Sequence, residues 1–468
     1  MKKYSVIILA AVVALSSCKK ELEQYNPQTI SEDNAFKTLE HVQLGVNGAY
    51  GMYSTYVNDI YKNALTSDEA RLGNDNAGQG ALTYRYQYSS DATTGGDVTG
   101  GYGGYYSMIA QINRVLPYVY TVTGEEGSTA RRDEIKGQLL ALRGIAHFGL
   151  LQNFAGRYNP DAIGIAVVTE ISPLARPARS TMGEAMAQIE KDLADAKAVL
   201  PAVTPTSFRD TVMNKINIAA YQARIALYKG DYAAAITYAT EVINSNVKPL
   251  VTGATFQGIW TDQETAVPQG LSETLFRIRF ATSTALGGLW TTTGNLDYIS
   301  PSEKLVQSYD ATDIRLAAYI GGTTGDWYVN KYYQSSRGGR VVDMKAIRTA
   351  EVYLIRAEAY AKSSPANVAA GAADLNFLRA QRITGYVPVT FASAADLITA
   401  VLNERFKELA FEGHRFFDLK RNNLPVQRNA ADANAAWQTL PADSYRFVYP
   451  IPNAAILANP NIEQNQGY

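Results

Sequence analysis

The chain has 468 residues, 43 basic against 44 acidic side chains, three histidines and one cysteine. At about 100–200 residues per domain, the length suggests two to four domain-sized bodies or one large one, and the near-neutral charge argues against holding nucleic acid by bulk electrostatics. A single cysteine excludes an internal disulfide framework and a thiolate metal cluster, and His41, His147 and His414 lie too far apart for an HExxH zinc helix.

Lys2 and Lys3 precede an apolar run, Tyr4 to Leu15, followed by Ser16, Ser17 and Cys18. A basic start, a short apolar stretch and small residues make a secretory signal. The apolar run is shorter than the roughly 20 residues a spanning helix needs. Leu15-Ser16-Ser17-Cys18 looks like a bacterial lipobox, with Cys18 as the lipidation site. More than one acyl chain meets the requirement for stable anchoring. Residues 1–17 are thus expected to be a lipoprotein signal peptide, 18–30 a lipidated start and linker, and 31–468 the folded body.

Ser31 can cap a helix starting near Glu32, with Phe36, Leu39, Val42, Val46 and Tyr50 at helical spacing. Residues 66–104 are rich in Gly, Asn, Asp, Ser and Thr and read as a long loop, its glycine-rich part (95–104) as a mobile surface segment. Helical periodicity returns over 105–119, 132–154 (Ile135, Leu139, Leu142 and Ala146 on one face) and 181–199, stopped by Pro201. The clearest unit is 215–247. One amphipathic helix ends near Lys229, Gly230-Asp231 turns the chain, and a second helix runs to about Asn244. Ala223, Gly230, Ala235 and Ala239 resemble the small positions of a tetratricopeptide repeat. Looser helix pairs follow at 345–382 and 394–421. Between them, 250–343 loses helical periodicity. There SETLFRIRF (272–280) alternates like a strand, glycine pairs punctuate the chain, and Trp260, Trp290 and Trp327 lie within it. The expected fold is mainly α: a tetratricopeptide-like helix-pair frame (31–65, 105–249 and 344–430) with loop-rich regions at 66–104 and 250–343.

Several separated segments match one pattern: NERFKELAFEGHRFFDLKRNN at 403–423, YLIRAEAYA at 353–361, LNFLRAQR at 375–382, the series Tyr102, Tyr106, Ile109, Asn113, and YRFVYPIPNAAILANPNIEQNQGY at 445–468. Together they resemble the SusD-like (RagB-like) family of outer-membrane lipoproteins over nearly the whole chain. The family often has Trp where this chain has Tyr102. The resemblance implies attachment to the cell surface and a partner, a SusC-like TonB-dependent transporter, on which the protein sits as a lid while capturing oligosaccharides. It implies no cofactor. It also implies an architectural role for the motif residues Arg356, Glu358, Arg405, Glu408, Glu412, Gly413, Arg415 and Asp418.

Glu404, Glu408 and Glu412 could suggest the paired carboxylates of a glycosidase, which stand about 5–9 Å apart. Their i, i+4, i+8 spacing among basic residues reads instead as helix-surface or interhelical ion pairs. The glycine stretch lacks the lysine of a phosphate-binding loop. No nucleophile elbow is present, and Asp68, Asp75 and Asp91 lack calcium-loop spacing, so no catalytic group and no metal are expected. Aromatics carry more. Of 31 tyrosines, 12 fall between residues 50 and 120 and six between 298 and 333. A sugar ring wants a flat apolar platform with polar groups around it, and rigid aromatics supply that area at small entropic cost. The ligand candidates are Asp68, Arg71, Asn74, Tyr102, Trp260, Trp290 and Trp327. Three other readings remain: a peptide ligand as in the RagB branch, a surface glycan hydrolase, and a repeat scaffold that binds only protein.

Overall fold

The computed structural model describes residues 35–123, 129–172, 174–263, 272–291 and 296–468. Cys18 and Ser31 lie outside them. Helix α1 is Leu39–Met52, capped by Thr38, whose side chain accepts from the His41 N–H. Helix α2 is Tyr56–Thr66.

The region expected as one long loop holds β1 (Ala70–Leu72), α3 (Ala81–Tyr84) and the start of a 24-residue helix, α4 (Ala92–Val115). The glycine-rich stretch is therefore helical, not a mobile surface loop. Each interior glycine costs a helix about 1 kcal/mol relative to alanine, so propensity alone argues against α4. Two local features outweigh it. Asp91 caps the helix, one carboxylate oxygen accepting from the Thr93 and Thr94 N–H at 2.8 and 3.0 Å. The glycines also let α4 press against α2 and the turn before it. A Cβ at Gly104 would lie 2.3 Å from Thr55 Oγ1. The same helix buries Tyr105, Ile109 and Ile112, and the Tyr105 hydroxyl donates to Asp59 on α2.

Helix α5 (Thr129–Phe154) packs along α6 (Met182–Val199), which opens with a Thr181–Glu184 capping box. Helices α7 (Lys215–Lys229) and α8 (Tyr232–Ser245) form the next pair. Asn214 caps the first, Gly230 ends it in the left-handed conformation, and Asp231 caps the second. Ala223, Ala235 and Ala239 are fully buried where the two helices meet.

The irregular stretch follows: α9 (Gly253–Trp260), β2 (Thr274–Ile278), β3 (Ile299–Pro301), α10 (Ile314–Tyr319), β4 (Ile320–Thr323), β5 (Asp326–Val329) and β6 (Met344–Arg348). Its first and last strands, β2 and β6, pair antiparallel and close the stretch where it leaves and rejoins the helices. Strand β1 pairs with β3, and β4 with β5 as a hairpin. Beyond β6 come α11 (Thr349–Lys362), α12 (Val368–Arg382), α13 (Ala394–Glu408) and α14 (Arg415–Arg421). Helix α11 packs on α8, α12 and α13, so the frame runs continuously from α5 to α13. The fold is mainly α; its short strands lie in the irregular half, at β1 and in a two-residue ladder of Val426–Gln427 with Thr439–Leu440.

The C-terminal segment straps the frame. Tyr449 hydroxyl donates to Asn63 Oδ1 at 2.9 Å, and Asn465 Nδ2 donates to the Phe154 and Tyr449 carbonyls. Gln464 and the Ile451 backbone exchange two bonds. Each closes a backbone group that burial would otherwise leave unpaired.

Candidate functional site

Most of the charged residues singled out in the sequence face inward. Helix α13 ends at Glu408, and Phe411, with φ +62°, turns the chain sharply before Glu412. Glu404, Glu408 and Glu412 therefore do not lie on one helical stripe. They enter one buried network instead. Glu408 accepts from Arg348 Nη1 (2.9 Å), Arg382 Nε (3.0 Å) and Arg315 Nη1 (3.1 Å). Glu412 accepts from Arg348 Nε (2.9 Å) and Lys331 Nζ (2.7 Å). Glu273 accepts from both Arg348 and Arg382. Burial alone would raise these carboxyls. The facing guanidiniums outweigh it, holding Glu404 at about 2 and Glu408 and Glu412 below the usual carboxylate range.

The remaining motif residues join helices. Arg356 pairs with Asp374 between α11 and α12 (2.8 and 2.7 Å). Arg421 pairs with Glu358 (2.5 and 2.6 Å), and Arg405 with Asp418 (2.8 Å). Gly413 takes φ +83° with Ile60 backbone 3.4 Å from where its Cβ would stand. Arg415 clasps Asp68 from two nitrogens (2.7 and 2.9 Å), and Lys304 adds a third bond at 2.6 Å. Asp68 was a ligand candidate. It is 1% exposed, held at about 2 by Arg415 and Lys304 against its burial, and ties α14 to the irregular half.

Three aromatic candidates are also internal. Tyr102 is 7% exposed, its ring edge-on to Phe154 at 5.0 Å. Its motif companions hold a neighbouring segment: Tyr106 hydroxyl donates to the Ala166 carbonyl and Asn113 to the Val168 carbonyl. Trp260 and Trp290 are 2% and 1% exposed. Trp260 carries the Lys331 ammonium 4.1 Å from its ring centroid, and Trp290 stacks on Tyr332 at 6.1 Å. None of the three presents a ring face to a ligand. The buried rings of the irregular half belong to one core shared with most of the helical frame.

Arg71, Asn74 and Trp327 are brought together. Arg71 lies on β1, Asn74 in the turn after it, and Trp327 on β5. Arg71 Nη2 donates to the Gly325 carbonyl at 3.2 Å, and Asn74 Nδ2 donates to the same carbonyl at 3.0 Å and to Asp326 Oδ1 at 3.2 Å. Arg71 Nη1 also donates to Asn74 Oδ1. The tip of the β4–β5 hairpin is thus latched to the β1 turn. Trp327 is half-buried beside the latch, its base against the core and its indole N–H without a protein acceptor. Tyr328 and Tyr333, both half-buried, pack ring to ring at 4.9 Å on the same hairpin. Asp75 accepts from the Asp297 N–H at 3.1 Å. Burial and the neighbouring Asp326 and Asp75 charges push Asp297 up to about 6, with Arg71 opposing them. The result is an exposed polar rim beside half-buried rings, suited to a hydroxyl-rich ligand with an apolar face.

Sequence reasoning passed over Trp437. It sits on a short turn, Ala435–Trp437, with the Arg85 guanidinium 5.0 Å from its ring. Nearby Asp432 interacts electrostatically with Arg71, so this turn borders the same face. Its signal was its type: it is the one tryptophan outside the irregular stretch. A different cavity, of about 510 Å³, lies between α4 and residues 167–177, lined by Ala110, Arg114, Val167, Glu170, Ile171 and Pro177 among others. No aromatic ring lines it, so it offers no sugar platform.

The architecture defines a class: a helical-repeat protein carrying an irregular half with an open polar and aromatic face. A family model described as "SusD family" matches residues 317–468, and one described as "Starch-binding associating with outer membrane" matches 21–227. The chain belongs to the SusD/RagB-like family. SusD-like protein P2 of Formosa agariphila is 25% identical over the full length of both chains. Among solved structures, a SusD superfamily protein from Bacteroides vulgatus matches with TM-score 0.81 and 24% identity, covering 92% of this chain and 100% of that one. A putative sugar binding protein from the same organism matches with TM-score 0.79 and 25% identity, covering 93% and 99%.

Proposed function

We propose that this protein is a lipid-anchored, cell-surface protein that captures oligosaccharides and delivers them to a SusC-like TonB-dependent outer-membrane transporter, binding without chemistry. The observation that carries the proposal is the latched hairpin. It sets Trp327 beside Arg71, Asn74 and Asp326, giving a sugar an aromatic surface and a hydrogen-bonding edge. The family description and the sugar-binding relative support carbohydrate as the ligand. Cys18 is the proposed anchor. Among the described residues no helix is long and apolar enough to cross a membrane. Modest affinity suits capture, because a tightly held ligand is not handed on.

Titration calorimetry against a panel of soluble glycans and peptides tests the ligand class. Binding of one glycan class with peptides silent supports the proposal; binding of peptides alone overturns it. One feature favours a second reading, glycan hydrolysis. A carboxyl raised to about 6 beside further carboxylates, as at Asp297 with Asp75 and Asp326, resembles the way glycosidases separate acid from base. Release of reducing ends by purified protein, abolished in Asp297→Asn, would establish that reading.

A further inference from the structure

Helices α7, α13 and α14 enclose a small internal cavity, far in sequence from the hairpin, whose walls include Tyr56, Arg224, Arg405, His414, Asp418 and Arg421. About 20 Å³ of it is open to the centre of a water-sized guest, room for a single small occupant. Arg405 is 4% exposed. Its Nε donates to Asp418 Oδ2 at 2.8 Å, while its Nη1 has no hydrogen-bond partner. A buried guanidinium N–H without an acceptor is costly and rare. The charge of the lining points the same way. Three guanidiniums, Arg224, Arg405 and Arg421, line the cavity against one carboxylate, Asp418; Glu351 and Glu358, which pair with Arg224 and Arg421, are not part of the lining. Burial and the neighbouring arginines hold His414 down at about 4, so at neutral pH it adds no charge.

We propose that this cavity is a binding site for one monovalent inorganic anion, chloride in ordinary solution, held by Arg405 Nη1. The anion supplies the missing acceptor in a lining that holds three guanidiniums and one carboxylate. It would pin the Arg405–Asp418 junction, where α13 hands over to α14. Room for one small guest selects a halide over sulfate. The site is independent of the sugar-binding proposal.

Crystals of the protein soaked in sodium bromide, with diffraction recorded at the bromine edge, test this directly. The expected result is an anomalous peak within hydrogen-bond reach of Arg405 Nη1. A cavity with water density and no anomalous peak overturns the proposal. Thermal melts give an independent reading. At constant ionic strength, replacing gluconate by chloride should raise the Tm along a saturating curve, with sulfate giving no such rise. A Tm identical in gluconate and chloride contradicts the site.

Discussion

Arginine and tryptophan do opposite work in two regions of this molecule. In the interior, Arg348 donates to Glu273, Glu408 and Glu412, and Trp290 packs on Tyr332 and Phe411. At the hairpin, Arg71 donates to neutral oxygens, the Leu72 and Gly325 carbonyls and Asn74, and Trp327 remains half-buried. Residue type therefore says little about role. What separates the regions is whether partners arrive from every side or from one. An interior guanidinium needs most of its donors met, by carboxylates as at Arg348 or by four backbone carbonyls as at Arg428, since a buried unpaired charge is strongly unfavourable. A surface guanidinium tolerates spare donors, and spare donors are what a ligand needs.

The largest expected contrast is in acid. Glu351, Glu358 and Glu404 sit at about 2 in the fold against a reference value of 4.5. As pH falls through 4.5 the unfolded chain takes up protons first. The stability these pairs contribute is present above that value and is lost on the way down to about 2. His147 and His414, held at about 3 and 4 by burial against a reference of 6.5, begin the loss earlier, below pH 6.5. Each lowered glutamate accounts for on the order of 2–3 kcal/mol. Urea midpoints measured from pH 7 to pH 3 should therefore fall steeply; a flat profile would contradict the network.

Removing one partner comes next. Arg348→Met leaves Glu408 and Glu412 short of a counter-charge and should cost about 3–5 kcal/mol, read as a lower urea midpoint or loss of folded protein. The tryptophans then separate the two regions within one residue type. Trp290→Ala should cost about 3–5 kcal/mol of stability, whereas Trp327→Ala should cost less and weaken glycan binding at least tenfold. Equal stability losses would erase the distinction. Arg71→Ala unlatches the hairpin and should weaken binding roughly five- to tenfold, about 1–1.4 kcal/mol. The smallest effect concerns Asp297. Its value of about 6 against a reference of 3.8 means the fold takes up its proton first and loses stability as pH rises through 6. Asp297→Asn should therefore stabilise the protein above pH 6, by under about 1 kcal/mol after solvent screening, and leave it unchanged below pH 4.

The helix pairs of the frame were legible because their apolar periods and turn residues agree. Gly230-Asp231 stops one helix and caps the next, and Ala223, Ala235 and Ala239 lie at their contact. The first half of α4 was hidden because its glycines serve packing against α2, which no local window contains, whereas its second half was read as helical from 105 onward. The buried network was half legible. Glu408 and Glu412 stand in a recognisable segment, and Arg382 closes another, LNFLRAQR, but their partner Arg348 comes from 60 or more residues before the glutamates, and Arg315 and Glu273 were not singled out. Of the ligand candidates, Arg71, Asn74 and Trp327 meet at one place, whereas Asp68, Tyr102, Trp260 and Trp290 are internal. A residue in a loop-rich stretch is not thereby exposed, because the irregular half packs its large side chains into the core it shares with the helices.

The central claim is that the latched hairpin, and not the interior, holds the ligand. Calorimetric titration of the wild type and of Trp327→Ala with the same soluble oligosaccharide, at matched folded fraction, tests it most directly. The account predicts measurable binding by the wild type and a Kd at least tenfold weaker in the variant. An unchanged Kd in a folded Trp327→Ala protein would contradict it.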